Sequence, residues 1–335
     1  MKVCIVGAGA IGGYVAAKLS LAGSALSVVV RGANLAAVRA NGLTLREAGE
    51  ERVVKSIVAT DKISDLDVQD MVILAMKAHQ VTAVAEQLAP LLGPETTIVT
   101  MQNGIPFWYF QKHGGEFDGR RVESVDPGGI ITDHISIERV IGCVVSPACE
   151  MVAPGVIQHI EGNRFPVGEL DGAETPRVKA IAELFKNAGL KSPVLTKIRD
   201  EIWLKLWGNL TFNPISALTQ ATLVDICQFP PSRALAASMM TEAQTIANKL
   251  GVEFRVSLEK RIAGAEGVGK HKTSMLQDVE AGRALEIDAL VGSVMELGRL
   301  TQTPTPHIEA VYACTSLLAK MLRESGGRLA ISKAN

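Results

Sequence analysis

Gly7-x-Gly9-x-x-Gly12 stands near the start of the chain. It follows the apolar run Val3-Cys4-Ile5-Val6 and opens a segment with helical spacing, Ile11, Val15 and Leu19. Strand, glycine turn and helix in that order suit phosphate binding. Gly7 permits the tight turn, Gly9 lets a pyrophosphate approach the backbone, and Gly12 lets helix and strand pack closely. The helix start at Ala10 and Ile11 then offers free amide hydrogens and a partial positive charge. The motif alone is weak, and its place between strand and helix gives it weight. A glycine-rich turn with no ligand is the ordinary alternative.

The next strand, Leu26 to Val30, ends in Arg31-Gly32. NAD-binding versions usually carry an Asp or Glu there. Arg31 instead suits a 2′-phosphate through a bidentate fork, so the spacing favours NADP(H) as cofactor. An exposed arginine of no consequence is the alternative.

Two further loops fall at strand ends, where ligands bind in such sheets: Ala75-Met76-Lys77-Ala78-His79-Gln80 and Met101-Gln102-Asn103-Gly104. Lys77 and Asn103 can reach a cofactor or a substrate from there, or serve as ordinary loop residues. In the second half, Lys205, Asn209 and Asn213 recur every four residues among Trp203, Leu206, Trp207 and Leu210, ahead of Pro214. On a helix they form one polar row. Such groups meet polar partners inside the protein or face a wet cleft; the alternative is a lysine snorkelling at a domain boundary. A later cluster runs Lys272-Thr273-Ser274-Met275-Leu276-Gln277-Asp278, then Leu285-Glu286-Ile287-Asp288. Ser274 with Gln277 fits a capping box, and Glu286 and Asp288 fit a helix dipole.

These residues need a scaffold. Strand-like runs at 3–6, 26–30, 71–75 and 97–101 alternate with helical segments at 11–22, 33–40 and 81–92, the last closed by Gly93-Pro94. That rhythm implies an α/β fold with a mostly parallel sheet. Gly42 to Leu45 and Val53 to Ala59 read as extended segments of a hairpin. Residues 107–139, opening on Phe107-Trp108-Tyr109-Phe110, interrupt the rhythm as an insertion, a lid or a packing flap. Strand character resumes at 140–146, 155–159 and 165–168, and 175–188 reads as a helix. From about 197 the chain reads as long helices: 198–212, 232–250, 287–300 and 307–324, with a frayed tail. The division expected is 1–196 for the sheet domain and 197–330 for an all-helical domain.

Composition narrows the function classes. The 335 residues exceed what one core usually serves. A formal net charge of −1 argues against nucleic acid as a partner. Cysteines at 4, 143, 149, 227 and 314 show no zinc-ligand spacing, so they read as reduced thiols of a cytoplasmic protein, with no metal. Met1-Lys2 with the following apolar run, up to Gly23-Ser24-Ala25, has the look of a short secretory signal, but the glycine spacing favours a buried strand. No 18-residue apolar stretch marks a membrane span. The apolar helices of the second half suit a homodimer.

Taken together, Gly7-Ala-Gly-Ala-Ile-Gly12, Lys77-Ala-His-Gln80, Gln102-Asn-Gly104, Lys205…Asn209…Asn213-Pro214, Ser274-Met-Leu-Gln-Asp278 and Glu286-Ile-Asp288 resemble the ketopantoate reductase (2-dehydropantoate 2-reductase) family over nearly the whole length. The resemblance implies a Rossmann-type domain joined to a helical domain like that of 6-phosphogluconate dehydrogenase. It implies NADPH-dependent reduction of a small keto acid, 2-dehydropantoate, to (R)-pantoate in pantothenate biosynthesis. Lys205 matches the family's general acid, and Glu286 the acid that bonds substrate and orients the lysine. Asn209, Asn213 and Ser274 match substrate-binding positions. Asn103 and Lys77 match residues near the nicotinamide and the cleft, and Arg31 the basic residue for the 2′-phosphate. Two departures bear on substrate identity: His271 replaces a common asparagine, and the 107–139 insertion is long. Alternatives are a related reductase of another 2-keto or 3-keto acid, and a non-catalytic NADP(H) sensor, for which an acid at the hydride site has no use.

Overall fold

The computed structural model describes residues 1–328, and the frayed tail expected at the chain end lies outside them. The chain divides into two compact units: Met1–Arg121 with Asp126–Ile198, and Val122–Val125 with the chain from Arg199 onward.

The first unit holds eleven strands: β1 (Lys2–Val6), β2 (Ala25–Val29), β3 (Leu43–Glu47), β4 (Glu50–Val54), β5 (Ile57–Thr60), β6 (Gln69–Leu74), β7 (Leu92–Thr100), β8 (Val140–Cys143), β9 (Ala148–Ala153), β10 (Val156–Glu161) and β11 (Val167–Gly168). Its helices are α1 (Ala10–Leu21), α2 (Gly32–Asn41), α3 (Ala78–Ala85), α4 (Ile130–His134) and α5 (Pro176–Asn187). The main sheet runs β11-β8-β7-β6-β1-β2-β5, parallel except for β11. Strand order reverses between β1 and β6, and at such a switch point the loops after the strands part and leave a crevice. Alternate residues Val3, Ile5, Val28, Met71, Ile73, Val99 and Ile141 enter one core with Tyr14, Val15 and Leu19 of α1 and Phe185 of α5. Cys4, Val72, Leu74, Ile98 and Val140, of opposite phase, are buried as well. Burial on both faces explains why these strands read as unbroken apolar runs.

A second sheet, β4-β3-β10-β9, packs on α1. Gly13 makes room for it, since a Cβ there would lie 2.8 Å from Ile157 Cδ1. The expected hairpin forms between β3 and β4, but Val53 to Ala59 divides, with β5 joining the main sheet beside β2. The helix expected over 81–92 runs instead over Ala78–Ala85. Pro90 lacks an N–H and crowds the preceding turn, so a 3-10 turn at Ala89–Leu91 follows. Gly93-Pro94 lies inside β7, where its ladder with β6 is irregular, and does not act as a helix stop.

The 107–139 segment opens on a buried stretch, runs through mostly exposed residues at 114–120, and gives Val122–Val125 to the second unit. Phe107, Trp108, Tyr109 and Phe110 are buried. Trp108 Nε1 donates to Thr100 Oγ1 at 2.8 Å, and its ring lies over Gly142.

The second unit is helical among the described residues: α6 (Ile198–Thr219), α7 (Leu223–Gln228), α8 (Pro230–Lys249), α9 (Leu258–Gly267), α10 (Ser274–Glu280), a π-helical turn (Asp288–Gly292), α11 (Ser293–Leu300) and α12 (Pro306–Glu324). α8 is its hub, in contact with α7, α9, α11 and α12 through Met239, Met240, Ala243, Ile246 and Ala247. α6 continues past Pro214 because Ile215 and Ala217 are buried beyond it. Val122–Val125 is held to α11 by Glu296, whose carboxylate accepts from Glu123 N (2.8 Å), Ser124 N (2.8 Å) and Ser124 Oγ (2.6 Å). No helix among the described residues is long and apolar enough to cross a membrane.

Candidate functional site

At the switch point of the first unit the ladder extends one residue beyond each strand. Gly7 N donates to Val29 O (3.0 Å), Ala75 N to Val6 O (2.9 Å) and Met101 N to Leu74 O (3.0 Å). The loops therefore leave the sheet from fixed positions. Gly7 has φ +99, and a Cβ there would strike Met76 N at 2.8 Å. Gly12 brings α1 down onto the turn, for its Cβ would lie 2.0 Å from Gly7 O. Gly9 is different: a Cβ there meets nothing within 4 Å. Two glycines thus answer to the protein's own packing, and the third faces open space. Gly9 is also the N-cap of α1, whose first turn carries no acidic residue. The Ala10, Ile11 and Gly12 amides have no intrahelical acceptor.

A groove of about 400 Å³ opens from this turn, lined by Gly7, Gly9, Arg31, Asp61, Met76 and Gln80 among others. Arg31 is the extended N-cap of α2 and is exposed. Nearby Asn34 is held structurally, donating to Met151 Sδ (2.9 Å) and accepting from Gly155 N (2.9 Å). Asp61, directly after β5, is a lining residue that sequence reasoning passed over; its place one step past a parallel strand was the available signal.

Lys77 is the N-cap of α3 and half-buried. Gln80 Oε1 accepts from Lys77 N at 3.1 Å, which explains the Lys77…Gln80 spacing as a helix start. Asn103 is half-buried in the turn after β7. Its neighbour Gln102 donates through Nε2 to Leu74 O (2.8 Å) and Met76 O (3.2 Å), tying the two loops together.

In the second unit, α6 carries Lys205, Asn209 and Asn213 on one face. Trp203, Leu206, Trp207 and Leu210 are buried. Trp207 Nε1 donates to Met240 O at 2.7 Å and its ring lies 4.3 Å from that of Phe254, which anchors the helix. Lys205 and Asn209 are half-buried and Asn213 is buried. Asn213 Nδ2 donates to Ser274 Oγ at 3.3 Å, joining residues 61 positions apart. Ser274 is the first residue of α10. Its expected capping role belongs to Thr273, whose side chain accepts from Leu276 N at 3.3 Å. Gln277 bonds Lys272 O instead of closing a box. Ser274 is thereby released for other bonds.

Glu286 precedes the π-helical turn, its carbonyl accepting from Leu290 N at 3.2 Å, and it is half-buried. Asp288 has a structural partner in Tyr312, whose hydroxyl donates to it at 2.8 Å. Burial, with this carboxylate beside it, pushes the Tyr312 phenol up. His271 uses its carbonyl to hold Leu223 N (3.1 Å) at the start of α7.

The family model described as ketopantoate reductase PanE/ApbA matches residues 3–109, and the corresponding C-terminal model matches 197–319. A 2-dehydropantoate 2-reductase of Mesorhizobium japonicum is 56% identical over 320 residues, covering 95% of this chain and 98% of its own. The chain belongs to the ketopantoate reductase family. A crystal structure of a family member from Ralstonia solanacearum superposes with TM-score 0.91 at 43% identity, covering 96% of this chain and 98% of that one. The fold extends further: D-mandelate dehydrogenase, solved with NADH and anilino(oxo)acetate, gives TM-score 0.82 at 20% identity, covering 96% of this chain and 100% of that one. As a ketopantoate reductase family member the chain is an oxidoreductase with a parallel-sheet domain followed by a helical one, as its motifs implied.

Proposed function

We propose that this chain reduces 2-dehydropantoate to (R)-pantoate with NADPH. The Asn213–Ser274 hydrogen bond carries the reading, because it draws two distant motifs into one polar site beside Lys205 and Asn209. The relative named 2-dehydropantoate 2-reductase, alike over nearly the full length, supplies the reaction.

The residues of the glycine turn fit a dinucleotide. The side of Gly9 that a Cβ would fill is open, and the first amides of α1 suit a pyrophosphate. Gly7, Gly9, Ala10, Ile11 and Gly12 would hold it, with Lys77 and Asn103 toward its nicotinamide. Arg31, on the groove wall, would take a 2′-phosphate as a two-pronged donor. When bound, the reduced nicotinamide supplies the hydride.

The second unit does the rest. Asn209, Asn213 and Ser274 bind and orient the keto acid. Lys205, as an ammonium, donates a proton to the ketone oxygen as negative charge builds there, yielding the alcohol. Glu286 bonds the substrate and keeps Lys205 aimed. A panel of 2-keto and 3-keto acids assayed with NADPH and NADH tests the whole reading. We expect the highest kcat/KM for 2-dehydropantoate with NADPH. Lys205→Ala should lose about 10²- to 10⁴-fold in kcat while keeping cofactor affinity; near-wild-type turnover would remove it as the acid. A related reductase of another keto acid is the second reading, favoured by His271, and the same panel separates the two.

A homodimer is proposed from α12, where Leu317 and Met321, one turn apart, are exposed at 59% and 45%. Light scattering of the eluted protein tests it.

A further inference from the structure

Arg261 of α9 lies with its guanidinium against Gly208 of α6. A Cβ built on Gly208 would sit 2.2 Å from a terminal nitrogen and 2.9 Å from Cζ. Only a residue without a side chain leaves room for that group. Nε of Arg261 is sealed from solvent without a hydrogen-bond partner, and burial pulls the guanidinium below the ordinary arginine pKa. Among the described residues no carboxylate pairs with it. Glu266, on the same helix, is engaged by Arg233 at 3.1 Å.

Two unfavourable choices therefore meet at one point. A glycine inside a helix weakens it relative to alanine. A half-buried cation whose Nε is sealed from solvent with no partner is disfavoured, and apolar side chains of similar volume are often at least as stable at such a point. The point they share is one residue from Asn209 and three from Lys205. Positions three apart on a helix are surface neighbours, so Gly208, against which the guanidinium lies, borders the polar row.

A 2-keto acid has its carboxylate bonded directly to the carbonyl carbon. The group that protonates the ketone oxygen and the group that holds the carboxylate must then be neighbours. We propose that Arg261 binds the carboxylate of the keto-acid substrate, admitted beside α6 by Gly208. The inference rests on the keto-acid reading above. It gives the second unit the cation that its amides and hydroxyl do not supply, in the fork geometry that matches a carboxylate.

The test uses the full chain with saturating dinucleotide, titrated calorimetrically with pantoate and with its neutral lactone. Arg261→Met should weaken pantoate about 10- to 100-fold, leave the lactone and the dinucleotide unchanged, and keep or raise Tm. Gly208→Ala, which favours the helix but displaces the guanidinium, should weaken pantoate similarly. Arg261→Lys should restore part of the affinity. Wild-type pantoate affinity in Arg261→Met would overturn the proposal; so would a large drop in Tm shared by Arg261→Met and Arg261→Lys, the mark of a structural residue. If wild type binds no pantoate, the substrate assignment fails by itself. Acetate and oxalate then decide Arg261: a rise in wild-type Tm that is lost in Arg261→Met supports an anion site, and an equal rise in both overturns it.

Discussion

Gly9 and Gly12 stand three residues apart, and alanine at each should fail for opposite reasons. At Gly12 the new methyl would sit 2.0 Å from Gly7 O. Ordinary contact needs about 3.4 Å, so α1 and the turn must separate by about 1 Å or more. Neither partner is a flexible side chain, and the cost is about 3 kcal/mol. At about 2–4 °C per kcal/mol for a domain of this size, Tm should fall by about 6–12 °C. At Gly9 the methyl meets no protein atom. Stability should fall by no more than about 1 kcal/mol, the cost of alanine in place of a glycine N-cap. The methyl instead takes the space left for pyrophosphate, and NADPH affinity should fall at least about tenfold. Thermal melts without cofactor and nicotinamide-fluorescence titrations read the two effects separately. A Gly9→Ala protein that binds NADPH like wild type would refute the assignment of that open side to the ligand. A Gly12→Ala protein that melts like wild type would refute the packing argument.

Other expectations follow from particular contacts. Arg31→Ala should raise KM for NADPH about 10- to 100-fold and leave KM for NADH nearly unchanged, since only the 2′-phosphate loses a charge-assisted partner; steady-state kinetics with both cofactors checks this, and equal losses would count against the assignment. Asn213→Ala removes the bond to Ser274 Oγ and should raise KM for the keto acid with kcat less affected; an unchanged KM would detach Asn213 from the substrate site. Glu47 offers a pH test in the first unit. It accepts from Tyr14 Oη (3.0 Å) and Lys18 Nζ (2.9 Å). Burial alone would push its carboxyl up, but these bonds and nearby His159 outweigh burial and hold it below the usual value. A carboxyl lowered on folding adds stability that is complete above its unfolded pKa and lost as pH falls through its folded one. Melts from pH 6 downward should therefore show a loss of Tm that Glu47→Gln lacks; identical slopes would show that the cluster has no such role.

The strand, glycine turn and helix at the start of the chain were legible because their requirements are local. Gly7 needs a positive φ and each parallel strand needs an apolar run, and both can be read from a few adjacent residues. The four-residue rhythm of Lys205, Asn209 and Asn213 was legible for the same reason, since a helix converts spacing into a shared face. Local signals misplaced the ends. Pro90 shortened α3, while Pro214 failed to stop α6 because burial beyond it outweighed the lost hydrogen bond. Val53 to Ala59 looks like one extended run, yet its two ends serve different sheets, a matter of pairing with distant strands.

What only the tertiary structure decided were the meetings of residues far apart in sequence. Asp288 and Glu286 are alike in the sequence, and the contact with Tyr312 separates them. Ser274 and Thr273 are alike as caps, and the path of the chain into α10 chooses Thr273. The partnership of Gly208 with Arg261 has no sequence period at all, because it depends on how α6 and α9 cross. Spacing along one element reports which side chains share a face; only packing between elements reports what that face meets.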